Sequence, residues 1–147
     1  VNIKSIQETN AALIHAVQHF SKSTSVMRKT NFFIVHKVEI THPGQLHPFE
    51  LKFPGDVKWC IGYQISANKH HESLSLATVG ISFNGARENT INRELFVHNP
   101  AAIRRRQIML SQKQHILQNS FVKGYVEDKG VVPAPYTVKI YFHLSTQ

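Results

Sequence analysis

The stretch Thr137-Val-Lys-Ile-Tyr-Phe-His-Leu144 alternates without a break. Val138, Ile140, Phe142 and Leu144 are apolar, and Thr137, Lys139, Tyr141 and His143 stand between them. A period of two sends the first set to one side of an extended strand and the second to the other. A strand with one apolar face suits an antiparallel sheet that covers a core on one side only. The same period recurs upstream. Val57, Trp59, Ile61, Tyr63 and Ile65 are expected to face inward, with Lys58, Cys60, Gly62 and Gln64 outward. Phe32, Ile34, Val38 and Ile40 alternate with Phe33, Val35, Lys37 and Glu39, and the run stops at the turn signal His42-Pro43-Gly44. Phe49, Leu51 and Phe53 form a shorter set between Pro48 and Pro54-Gly55.

Further strands are expected between these. After the polar loop Ser66–Ser73 comes Leu74-Ser75-Leu76, then Val79, Ile81 and Phe83. The inward phase slips between Leu76 and Val79, which a bulge near Ala77-Thr78 would produce. Asn84-Gly85 suits the positive φ angles of a type I′ turn. Ile91–His98 reads as a weaker strand around Leu95 and Val97. Ser111–Gln118 reads as a short helix capped by Ser111. Six to eight short strands separated by turns, with no alternation of strand and helix, predict a mainly β fold, an antiparallel sandwich or barrel.

The N-terminal segment has a different period. Ser5 and Glu8 have the spacing of a capping box. Ile3, Ile6, Asn10, Leu13, Val17 and Phe20 then recur at steps of three and four, an amphipathic helix with a heptad seam. The seam serves either self-association, with Asn10 setting the register, or packing of the helix on its own domain. Ser21–Thr30 is polar and aperiodic. The expected organisation is therefore a helix over 1–22, a linker over 23–30 and a β domain over 31–147.

Composition bounds the function. The 147 residues carry a net charge of +8, which favours an acidic peptide, nucleic acid or an anionic membrane surface as partner. The densest basic cluster is Arg104-Arg105-Arg106. The single cysteine, Cys60, cannot form an internal disulfide and lies in an apolar strand, so a buried thiol is expected. No apolar run approaches the roughly 20 residues that cross a bilayer, and no targeting segment is visible. An intracellular location, cytoplasmic or nuclear, without a membrane partner is the expectation. The ten histidines lack the spacing of a metal site, and no nucleophile elbow or phosphate loop is present. Asp56 and Asp128, the two aspartates, both fall in expected turns. Catalysis, a cofactor and a metal are not expected.

Two stretches resemble the MATH (TRAF-C) domain family. Phe53-Pro-Gly-Asp-Val-Lys-Trp59-Cys-Ile61 followed by Leu74-Ser75-Leu76 is similar to the family's Trp strand, loop and Leu-Ser-Leu strand. Phe121-Val122, Val126–Pro133 and Val138–Leu144 resemble its ending. The likeness covers roughly residues 31–147 and is nearest to the speckle-type POZ adaptors. It departs from the family where Ser111-Gln112-Lys113 replaces a Trp-Gly-Phe signature, and where Phe32 or Phe33 stands near an absent first-strand tryptophan. The resemblance implies an eight-stranded antiparallel sandwich that binds a linear peptide along a sheet edge. It aligns Ser73, Arg93, Ser111 and Lys113 with the aromatic positions of the adaptor groove. A groove so altered is polar and basic, and an acidic or phosphorylated peptide suits it better than the adaptors' Ser/Thr-rich one.

The leading expectation is thus a protein-interaction module, an adaptor or assembly domain that binds a protein or linear peptide. One alternative is a nucleic-acid-binding domain acting through Arg104, Arg105 and Arg106. Another is a structural homo-oligomer held by the seam of Ile3, Ile6, Asn10, Leu13, Val17 and Phe20.

Overall fold

The computed structural model describes residues 30–96 and 108–147. The expected helix over 1–22, its seam, residues 23–29 of the linker and Arg104–Arg106 lie outside the described residues. Among the described residues there are eight strands: β1 (Asn31–Ile40), β2 (Leu46–Leu51), β3 (Trp59–Ala67), β4 (Ala77–Ser82), β5 (Ile91–Leu95), β6 (Ile108–His115), β7 (Val122–Asp128) and β8 (Tyr136–Ser145). They form two four-stranded antiparallel sheets, β1-β8-β3-β6 and β2-β7-β4-β5, hereafter sheets A and B. The fold is a mainly β antiparallel sandwich.

The alternation seen in the sequence builds the core. On β8, Val138, Ile140, Phe142 and Leu144 are fully buried, while the residues between them are not. Phe142 stands at the centre, with Phe53 and Phe83 edge-on to its ring at centroid distances of 5.2 and 6.4 Å. From sheet B, Val79, Ile81 and Val126 are fully buried opposite them. Burying one such side chain contributes about 1.5–3 kcal/mol, so the layer between the sheets dominates stability. β1 keeps the expected phase, with Phe32 and Ile34 half-buried, Val38 and Ile40 buried, and Phe33, Val35, Lys37 and Glu39 exposed.

Three local expectations are corrected. Ser111–Gln118 is not a helix: residues up to His115 are strand β6 on the edge of sheet A. An edge strand with one exposed face and one open side keeps few apolar residues, so its period of two is hidden in Ser111-Gln112-Lys113-Gln114. The bulge expected near Ala77-Thr78 is absent, because β4 begins at Ala77 and runs in even register against both β5 and β7. Leu76 precedes the strand, with its N–H donated to the Leu95 carbonyl and its own carbonyl accepting from Lys129 N–H. The bulge lies instead in β3, between Cys60 and Gly62. It inverts the expected phase at the start of that strand: Cys60 is fully buried, whereas Trp59 and Ile61 are half-buried. Beyond the bulge Tyr63 and Ala67 face the core, so Tyr63 keeps its expected side.

Asn84-Gly85 is the turn its sequence calls for. Both residues have positive φ, 56° and 71°, and Ala86 N–H closes the turn on the Phe83 carbonyl at 3.0 Å.

Candidate interaction surfaces

The two open sides of the sandwich are bounded by β1 and β2, and by β5 and β6. The β6 edge is irregular. His115 and Gln114 pair with Trp59 and Cys60, and Met109 and Ile108 pair with Gly62 and Tyr63. Between these two points Leu110, Ser111, Gln112 and Lys113 stand opposite the single residue Ile61. The bulge in β3 is therefore matched by an outward arc in β6, whose backbone has no cross-strand register with β3. Arcs of this kind re-aim side chains at a sheet edge.

Ser111 and Lys113 line a depression of about 510 Å³ together with Ile61, Leu110, Thr30, Asn31, Ser145 and Gln147. Both are exposed. Lys113 Nζ lies 6.0 Å from the centroid of the Trp59 ring, a cation–π contact, and the His115 imidazole meets the same ring edge-on at 5.0 Å. The C-terminal end of β6 is held by Asn84. Its amide donates to the His115 carbonyl, and its Oδ1 accepts from Leu117 N–H at 3.0 Å and the Ser120 hydroxyl at 2.9 Å.

The other two positions taken from the family groove sit on different elements. Arg93 is exposed on β5, the edge of sheet B, in register with buried Val79. Ser73 is exposed in the loop between β3 and β4, where its N–H and that of Leu74 donate to His71 Nδ1 at 3.3 and 3.2 Å. Neither lines the depression beside β6. The structure thus brings Ser111 and Lys113 together and leaves Ser73 and Arg93 apart from them.

Residues that sequence reasoning passed over shape the surface too. On the outer face of sheet A, Phe33 is 50% exposed and its ring stacks on His143 at 4.6 Å, 16° from parallel. Burial lowers the His143 pKa and that of His36, whose ring lies 4.9 Å from Phe49. The outer face of sheet B carries two ion pairs, Lys123 with Glu50 at 3.1 Å and Lys129 with Glu94. Glu94 also accepts from the hydroxyls of Ser75 and Thr78. The Lys129 ammonium, then these two hydroxyls, holds the Glu94 carboxyl down at about 2.

Two groups with chemical potential are instead structural. Cys60 is fully buried, and burial pushes its thiol up to about 12, which keeps it protonated and inert at neutral pH. Asp128 was expected in a turn, but it ends β7 and is 3% exposed. Its carboxylate accepts from Gly44 N–H at 2.7 Å, Gly130 N–H at 3.0 Å and the Tyr136 hydroxyl. Among the described residues, no three His, Cys, Asp or Glu side chains are grouped to hold a metal.

No family model matches this chain, and no curated protein does. The geometry of the surfaces therefore carries the functional reading.

Proposed function

We infer that this chain is a MATH-like protein-interaction module, not an enzyme, and that it receives a short acidic or phosphorylated peptide along the β6 edge. The observation that carries the reading is the outward arc Leu110–Lys113, an edge segment out of register with its neighbour and lined on one side by a depression. Unpaired backbone on a sheet edge is where an extended peptide adds, with main-chain bonds for affinity and side-chain contacts for selectivity. Lys113 supplies a cation for a carboxylate or phosphate, and Ser111 a hydroxyl. The net charge of +8 assists the approach of an acidic partner.

The test is fluorescence anisotropy of the full chain against matched peptide pools, unmodified, glutamate-rich and phosphorylated. Acidic peptides are expected to bind tightest, and Lys113→Glu to weaken them by about tenfold, the loss of one charge-assisted contact. Lys123→Ala, on the far face, should leave binding unchanged. Equal binding of all pools, or an inert Lys113→Glu, would sink this reading.

A further inference from the structure

The outer face of sheet A extends from the depression beside β6, with Asn31 and Ser145 in both, to a second feature along β1 and β8. The register of β1, β8 and β3 arranges it in rows. Lys37 pairs with Lys139, Val35 with Tyr141, Phe33 with His143, and Ser145 with Trp59. Like charges directly opposite each other across a ladder are destabilising. Sheet B avoids this at the equivalent kind of position, where Glu50 pairs with Lys123 in register. Sheet A keeps two lysines side by side. Among the described residues neither makes an ion pair. Glu39, two residues along β1 on the same face, accepts from the Thr137 hydroxyl at 3.0 Å. The Lys37–Lys139 pair thus sets two positive charges side by side with no ion pair among the described residues, and an anionic partner is complementary to it.

The rest of the face says what kind of anion. Along β8, Lys139, Tyr141, His143 and Ser145 succeed each other on the outer side at two-residue steps, about 7 Å apart. Each step beyond the lysines carries a ring: Tyr141, then the Phe33–His143 stack, then Trp59 beside Ser145. Phe33 is half exposed, an open π-surface rather than a core residue. An acidic peptide satisfies the lysines, but its regular backbone brings no ring to each step of the file. A chain of phosphates linked to flat bases satisfies both, with backbone charge at the lysines and bases on the aromatic side chains. Among the described residues the face is a four-stranded sheet, with no helix or ribbon standing out to enter a duplex groove, so an unpaired strand is the form that fits.

We propose that the outer face of sheet A binds single-stranded nucleic acid, with phosphates at Lys37 and Lys139 and bases stacked on Tyr141 and Phe33. Arg104–Arg106, the cluster that the sequence suggested, lies outside the described residues, and the proposal does not use it.

The test is anisotropy of the full chain with end-labelled mixed-sequence 12-nucleotide RNA and DNA single strands, titrated over a range of salt. A duplex of the same length and a poly-glutamate peptide serve as competing probes. Single strands should bind more tightly than either. Two phosphate contacts correspond to a log–log salt slope of about −1.4. Lys37→Glu and Lys139→Glu should each weaken binding and flatten that slope. Phe33→Leu keeps the bulk of an exposed side chain and removes the ring, so it should weaken binding by about tenfold with the slope unchanged and the thermal transition intact. Tyr141→Leu should behave in the same way. Lys123→Glu, on the outer face of sheet B, should leave single-strand binding unaltered, whereas Phe33→Leu and Tyr141→Leu should leave acidic-peptide binding unaltered, which separates this proposal from the peptide one. No binding at low salt, equal binding of poly-glutamate, or Phe33→Leu and Tyr141→Leu variants that bind like the parent would overturn it.

Discussion

Asp128 shows how a polar residue becomes structural when the fold closes around it. Its carboxylate ties the turn after β1, through Gly44, to the turn after β7, through Gly130, and to the first residue of β8, through Tyr136. Burial, then Asp128 itself, raises the Tyr136 pKa, so the hydroxyl stays a donor at any ordinary pH. Asp128→Ala leaves three donors without an acceptor and is expected to cost about 3 kcal/mol in urea unfolding. Glu94 makes the opposite case, an exposed carboxylate with a shifted pKa. Its folded value lies near 2, below the ordinary 4.5. The stability it contributes is therefore fully present above about 4.5, and is lost as pH falls toward 2. Urea midpoints measured between pH 5 and 2 should fall less steeply in Glu94→Gln than in the parent. At Cys60 the expectation is kinetic: an alkylating reagent at neutral pH should label the thiol only after denaturant is added, because it is buried and protonated. Its burial was legible in the apolar run around it, whereas nothing local in the sequence marked Asp128 as an anchor.

Strands with one wet face and one dry face were legible, and strands at the margin were not. β1 and β8 pair with each other and share a clean alternation, so their phases read correctly from end to end. β3 has as strong an alternation, yet its bulge turns Trp59 outward and Cys60 inward. A period-two reading assumes an unbroken ladder, and one extra residue reverses it. β6 shows the limit most clearly. Ser111 can cap a helix, and the polar run after it has no strand signature, so the sequence pointed to the wrong element although Ser111 and Lys113 were marked as contact residues. Only pairing with β3 at both ends makes the segment extended. The turn at Asn84 secures that pairing. Asn84→Ala removes three hydrogen bonds and places alanine at φ 56°, and is expected to cost about 2–3 kcal/mol. Asn84→Gly relieves the backbone and should recover part of it. Amide exchange of Leu117 should rise in both.

The two faces of the whole sandwich divide the charge unequally. Sheet B pairs its lysines with glutamates, whereas sheet A leaves two lysines opposed beside open rings. Composition showed an excess of positive charge but could not say which face would hold it, since that follows from the register of strands far apart in the chain. The topology has its own whole-molecule signature: β8 lies between β1 and β3 in the middle of sheet A. Truncation before Tyr136 removes five fully buried core side chains, Tyr136 among them, and splits the sheet, so residues 1–135 should show no cooperative thermal transition. The same placement sets an order in time. β1 is made first among the eight strands, and its one partner in the ladder is made last. At translation rates of 5–20 residues per second, β1 waits roughly 5–20 s on the ribosome for β8. Through that interval Phe32, Ile34, Val38 and Ile40 lack the β8 neighbours that flank them in the sheet. A holding chaperone, or slow passage of neighbouring nascent chains, would then govern how much of this protein reaches its native state, however stable that state is once formed.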